Sequence, residues 1–156
     1  MKFFTSYYAN LNKIKELPGE YITVSISGDI PQDIKDSVDI WDRRFSPTWD
    51  LFKEYKNSPE GQQREDRYVQ RFKDEVLLNR DINSIVKSWS DNFGLNQKYV
   101  LLCYETPSDF CHRHIVAEAI SDKYGIQVPE LFLDYDNYEI QKYKAKLKGT
   151  LDDSEW

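Results

Sequence analysis

Both cysteines and both histidines of the 156-residue chain fall between Val100 and Ala119, in the run VLLCYETPSDFCHRHIVAEA. Cys103 ends an apolar run, and Cys111, His112, Arg113 and His114 follow one another after a short polar turn. Each residue type has its own chemistry. A cysteine at a helix N-terminus is placed to carry a thiolate. An imidazole exchanges protons near neutral pH, and a guanidinium grips phosphate or carboxylate with two parallel bonds. The run reads as strand, turn and helix. In an open α/β sheet that hand-over is where ligands bind, beyond the carboxyl ends of the strands. The unpaired N–H groups of the incoming helix favour an anion there.

Helical periodicity sorts the cluster. Ile115, Val116, Ala119 and Ile120 define the face expected to be buried, with His112 near its middle and Arg113 at its edge. Cys111, His114, Glu118, Ser121 and Asp122 fall on the opposite stripe, and His114 with Glu118 reads as a solvated i, i+4 pair. His112 and Arg113 are thus predicted to point into the crevice. Plainer readings stand beside these. His112 reads equally as a structural histidine bonded to a loop carbonyl, Arg113 as a partner for a core-edge carboxylate, and Cys111 and Cys103 as packing residues. Cys103, Cys111, His112 and His114 total four soft ligands, yet no metal site is predicted. Residues two apart on a helix diverge, so His112 and His114 do not face one ion, and the CxxC and HxxxH spacings of structural zinc are missing. Neither GxxxxGK[ST], GxGxxG nor GxSxG occurs, so no standard nucleotide loop or hydrolase elbow is expected, and no cofactor.

The elements that must hold this cluster are legible in outline. Lys2–Ser6 reads as a first strand, followed by a brief helix through Leu11, Ile14 and Leu17 that Pro18-Gly19 stops. YITVSI, Tyr21–Ile26, is a second strand rich in β-branched residues. Residues 32–46 give no clear pattern. Ser46-Pro47 suits the start of a helix to about Lys56, with Trp49, Phe52 and Tyr55 spaced to bury one stripe. Gln62–Asn79 is the longest helical pattern, with Tyr68, Phe72 and Val76 on one stripe. Asp81 caps a helix through Ile82, Ile85, Val86, Trp89 and Phe93, and Gly94 ends it. Lys98–Tyr104 is the third strand, with an apolar run suited to cover on both faces. Asp109 or Ser108 is expected to cap the next helix, running to Tyr124, and Ile126–Val128 is a short fourth strand. Tyr138–Leu147 is helix-compatible. The fold class expected is α/β: a small, mostly parallel sheet of about four strands flanked by helices, with a helical insertion between strands two and three. One domain spans 1–148, and 149–156 is an acidic tail.

The net charge of -6 and the mean hydropathy of -0.72 exclude whole classes of function. General nucleic-acid binding needs a clustered basic face, which this acidic chain does not offer. No apolar run approaches a membrane span. Polar residues Thr5, Ser6, Asn10 and Asn12 interrupt any signal-peptide core, so a cytoplasmic chain is expected, with its two cysteines as thiols rather than a disulfide. Aromatic residues at 15% supply the burial that a folded core requires.

Leu101-Leu102-Cys103-Tyr104-Glu105, then Pro107, then Phe110-Cys111-His112-Arg113-His114-Ile115-Val116-Ala117-Glu118 resembles the family called domain of unknown function 488. Thr5-Ser6-Tyr7-Tyr8-Ala9-Asn10, Val24-Ser25-Ile26-Ser27 with Pro31, and Ser46-Pro47 before a helix agree with it, so the likeness spans roughly residues 1–130. The resemblance implies a compact α/β domain without an agreed activity. Many members carry Asp-Val-Arg after the second strand, where this chain has Ser25-Ile26-Ser27. If that arginine binds an anion in relatives, Arg43 or Arg44 must substitute here.

Taken together, the expected function is binding of an anionic small molecule, phosphorylated or nucleotide-like, with or without catalysis. Cys111 and His112 are the candidate catalytic residues. Arg113, Ser6, Tyr7, Ser25, Cys103 and Glu105 are the candidate ligand contacts, from the ends of the three strands. The alternative is a non-enzymatic interaction or inhibitor module working through an acidic, aromatic surface, with Trp41, Trp49 and Trp156 as anchors.

Overall fold

The computed structural model describes residues 1–105 and 110–132. Four strands, β1 (Lys2–Tyr7), β2 (Tyr21–Ser25), β3 (Ile40–Trp41) and β4 (Lys98–Cys103), form one parallel sheet in the order β1-β4-β2-β3. β4 enters last and lies in the middle, with Tyr7 opposite Cys103 on one side and Ser25 opposite Leu102 on the other. A central strand buries both faces, and its sequence answers that demand. Tyr99 and Leu101 pack into a large core with Trp89, Phe72 and Ile115. Val100 and Leu102 enter a smaller one with Tyr8, Leu11 and Ile14. Cys103, next in the alternation, shares the face of Tyr99 and Leu101.

Five α-helices are described: α1 (Leu11–Lys15), α2 (Trp49–Asn57), α3 (Gln62–Phe72), α4 (Ile82–Phe93) and α5 (His112–Tyr124). The α/β architecture with a helical insertion ahead of the central strand is as expected from the sequence. Tyr68, Phe72 and Val76 are all buried, although the helix relaxes into a π-turn at Lys73–Leu77. Asp81 accepts the Ser84 N–H at the start of α4, and Thr48, rather than Ser46, caps α2 through the Leu51 N–H.

Two local expectations change. The fourth strand is Ile40–Trp41, inside the stretch that showed no pattern, and not Ile126–Val128. Two residues pairing with one edge are too short to leave a periodicity in the sequence. The free edge of β1 is instead met at Glu130: the Thr5 N–H donates to the Pro129 carbonyl (3.0 Å), and the Leu131 N–H donates to the Thr5 carbonyl (2.8 Å). α5 begins with Cys111, rather than Asp109 or Ser108, as its N-cap, while its end at Tyr124, before Gly125 at φ +65°, is as expected. Pro107, Ser108, Asp109, the helix-compatible 138–147 and the acidic tail lie outside the described residues.

Candidate functional site

Beyond the carboxyl ends of β2 and β4 lies a cavity of about 690 Å³. Its inner wall is built by the residues that leave the strands: Ser27, Gly28 and Asp29 after β2, and Cys103, Tyr104 and Glu105 at the end of β4. Phe110, Cys111 and His112 close its floor where α5 begins, and α2 forms the outer wall through Trp49, Phe52, Tyr55 and Lys56. Arg43, from the turn after β3, completes the rim. The helical insertion thus supplies the side opposite the strand ends. This volume is in the range of small-molecule sites, and the mixture of rings with a few polar groups suits one.

The sequence-predicted residues divide cleanly. Cys103, Glu105, Cys111 and His112 line the cavity; Ser6, Tyr7, Ser25 and Arg113 do not. Arg113, expected to meet an anion, has no exposed surface and spends its guanidinium inside the protein. Nε and Nη2 donate to Glu130 Oε1 and Oε2 at 3.0 and 3.2 Å, and Nη1 donates to the Glu105 carbonyl at 2.6 Å and to Cys103 Sγ at 3.1 Å. Its reading as the partner of a carboxylate is therefore the one its geometry matches. Thr5 Oγ1 adds a third donor to Glu130, at 2.6 Å. Arg113 ties β1, the end of β4 and the Pro129–Leu131 segment into one unit behind the cavity. Ser6 is buried against Asn10 (3.2 Å), and the ring of Tyr7 lies 5.8 Å from the Arg113 guanidinium. Ser25 accepts or donates a 2.6 Å bond with the buried Tyr8 hydroxyl, which also bonds Ser27. Burial raises the Tyr8 phenol above its usual range, so it stays protonated.

The cysteines do not form two separate thiols. Cys103 and Cys111 are joined as a disulfide, correcting the sequence expectation, because the last residue of β4 and the N-cap of α5 converge on one point. In this state Cys111 has no thiolate to offer. Cys111 and His114 are also buried rather than solvated. The first two turns of α5 are covered on all sides, by β1 and β4 beneath and by α3 with its π-turn alongside. Glu118 is half-buried and reaches Lys73 at 3.5 Å. A period read on one helix cannot reveal that several neighbours surround it.

His112 joins the strand ends to the helix. Its Nε2 lies 2.7 Å from the Ile26 carbonyl, while Nδ1 lies 3.9 Å from Cys111 Sγ. A carbonyl only accepts, so Nε2 carries the proton and Nδ1 presents its lone pair. Desolvation pushes the imidazole down to about 4, against a weaker upward pull from the Ile26 bond and with help from the nearby Arg113 charge. At pH 7 the ring is neutral. It acts as a hydrogen-bonding group and a weak base, not as a proton donor. The Ile26 N–H donates to the Leu102 carbonyl (3.1 Å), while the Ile26 carbonyl accepts from the ring.

A family model described as the active DUF488-N3 subclade matches residues 6–124. The chain belongs to the DUF488-N3a family. No curated protein and no solved structure matches it. In this DUF488 chain, the two arginines nominated to replace the family's arginine after the second strand part company. Arg43 lines the cavity, whereas Arg44 is held by Asp42 (2.6 Å) and Ser88 (2.9 Å). Sequence reasoning passed over Glu130, Lys56 and Asp29, and it expected Trp49, Phe52 and Tyr55 to form a buried stripe, whereas Trp49 and Phe52 are exposed on the cavity wall, because no element among the described residues packs over that face of α2. Only Glu130 left a signal, as a carboxylate set among Val128, Pro129, Leu131 and Phe132.

No helix among the described residues is long and apolar enough to cross a membrane.

Proposed function

We propose that the cavity binds a phosphorylated, nucleotide-like small molecule. One observation carries the reading: two cations and a set of accessible rings share a single concavity at the strand ends. Trp49 and Phe52 stack on each other at 5.7 Å on the outer wall, and Tyr55 and Tyr104 line the same space. Such faces hold a planar base by stacking, worth about 1–3 kcal/mol per base. Arg43, from the turn after β3, and Lys56, one turn beyond Phe52 on α2, line the same cavity and take the phosphate, in the role first expected of Arg113. Asp29 and Glu105 stand beside Tyr8 and Tyr104, whose phenols both acids help to raise. They offer acceptors for the amino edge of a base or for a sugar hydroxyl, away from the phosphate. The neutral His112 supplies a lone pair at the floor. Any catalysis uses this group and the sulfurs next to it.

A thermal-shift and calorimetric screen of nucleoside mono- and diphosphates against sugar phosphates tests the proposal. At least one nucleotide stabilises the wild type, and the Arg43→Ala/Lys56→Ala double variant, whose changes are at exposed positions, loses that stabilisation. If no such ligand shifts the wild type, or the double variant responds equally, the reading fails.

The interaction-module reading keeps one specific support. Trp41 and Trp49 are 48% and 69% exposed. Trp41 lies outside the cavity lining, so a pull-down lost on Trp41→Ala but retained by the Arg43/Lys56 double variant separates a protein partner from the nucleotide.

A further inference from the structure

The floor of the cavity holds three soft donor atoms. Cys103 Sγ, Cys111 Sγ and a ring nitrogen of His112 all lie within 4.8 Å of one another, and all three residues are buried. The sequence argument against a metal concerned His112 with His114 and the lack of CxxC spacing. The folded chain leaves His114 out and keeps the other three: Cys103 arrives from the end of β4 and stands beside Cys111 and His112 at the start of α5. We propose that, when the Cys103–Cys111 disulfide is reduced, these two sulfurs and His112 Nδ1 bind one zinc-class divalent ion, with its fourth position open to the cavity.

Four observations support it beyond proximity. The His112 Nε2–H is fixed on the Ile26 carbonyl at 2.7 Å, which turns the Nδ1 lone pair toward the sulfurs. Metal-bound histidines nearly always have their second nitrogen held in this way. Arg113 Nη1 donates to Cys103 Sγ at 3.1 Å, and the start of α5 lies at Cys111, so each sulfur has a positive neighbour to stabilise a thiolate. The cysteine Cα atoms are 7.5 Å apart, wider than the roughly 4.4–6.8 Å usual for a disulfide, so the sulfurs have room to separate around an ion. All three donors also line the 690 Å³ cavity, so a fourth ligand, water or substrate, can approach from that side. Two sulfurs, one imidazole and an open position make the donor set of a catalytic rather than a structural zinc site.

The change of state balances. A phosphine reductant takes the oxygen of one water to become its oxide and leaves two thiols. Binding of the dication then releases both thiol protons to solvent, while the neutral imidazole releases none. Disulfide and ion are mutually exclusive, because the same sulfur electrons serve either bond.

Cobalt(II) is the probe. The full chain, reduced with a phosphine under nitrogen and free of nucleotide, is titrated with Co2+. Thiolate-to-cobalt absorption in the near ultraviolet, with the visible bands of tetrahedral cobalt, is expected to saturate at one equivalent and to be bleached by Zn2+. Cys103→Ser and Cys111→Ser are each expected to lose much of the charge-transfer absorption. His112→Gln, whose amide can still donate to the Ile26 carbonyl, is expected to weaken binding more than about tenfold. Because buried substitutions can unfold the chain, a second measurement uses the wild type alone: Zn2+ slows alkylation of both reduced cysteines. A reduced wild type without the saturating cobalt spectrum, an alkylation rate indifferent to zinc, or an oxidised protein giving the same spectrum overturns the proposal. None of these readouts contains a nucleotide, so the metal site and the nucleotide reading fail separately.

Discussion

Glu130→Ala would strand a guanidinium that has no surface in water. Arg113 is 0% exposed and Glu130 3%, and the carboxylate takes two bonds from Arg113 at 3.0 and 3.2 Å and one from Thr5 at 2.6 Å. After the substitution, Arg113 would keep hydrogen bonds to the Glu105 carbonyl and Cys103 Sγ and the ring of Tyr7 at 5.8 Å. In the disulfide-bonded state none of these carries a countercharge. Breaking one side of a buried pair costs about 3–5 kcal/mol, a large share of the roughly 5–15 kcal/mol that holds a domain together. Thr5→Val removes one bond and leaves the pair, at about 1–2 kcal/mol. Arg113→Met/Glu130→Leu removes both charges into an apolar setting and should recover most of the loss. Equilibrium urea unfolding at pH 7, followed by far-ultraviolet circular dichroism, measures all four proteins. Were Glu130→Ala to cost under about 1 kcal/mol, or the double variant to cost as much as Glu130→Ala, the argument that this pair is a closed internal tie would be wrong.

Two further outcomes follow from the same coordinates. In the metal-free, disulfide-bonded protein, the imidazole of His112 titrates near 4, below its usual 6.5, so the unfolded chain binds the extra proton between those values. Stability from this group is full above pH 6.5 and is lost as pH falls toward 4, by roughly 3 kcal/mol in all. Nuclear magnetic resonance of its ring protons gives the midpoint, and a value between 6 and 7 would contradict the burial described. Asp42 is a second buried anchor. Burial alone would raise its carboxyl, but bonds from Arg44 and Trp89 Nε1 (2.8 Å) hold it below the usual carboxylate range. Asp42→Ala leaves the buried Trp89 N–H without its acceptor and is expected to lower stability by about 2–4 kcal/mol, read as the urea midpoint; an unchanged midpoint would remove Asp42 from the fold's supports.

Much of the scaffold was visible in the chain because its causes are local. Tyr21–Ser25 and Lys98–Cys103 are β-branched or apolar runs, Asp81 caps with its own side chain, and Tyr68, Phe72 and Val76 repeat at helical spacing even through a π-turn. The strand-to-helix hand-over also pointed to the end of the sheet where the cavity lies. Ile40–Trp41 was invisible for the opposite reason. Its two residues become a strand only because β2 presents an unpaired edge to them.

Within the site, residue types and their order determined that thiols, imidazole and guanidinium would gather where β4 becomes α5. The tertiary structure alone decided what each one does. Arg113 turned inward because Glu130, 17 residues further along, returns to the β1 edge. His112 chose its tautomer because the Ile26 carbonyl, just past the end of β2 and 86 residues earlier, can only accept. Arg43 and Lys56 face the cavity because the insertion folds across the strand ends. Hydrophobic pattern and capping act over one or two turns of chain and can be read there, whereas the partner of a buried charge is set by which distant segment closes the sheet edge.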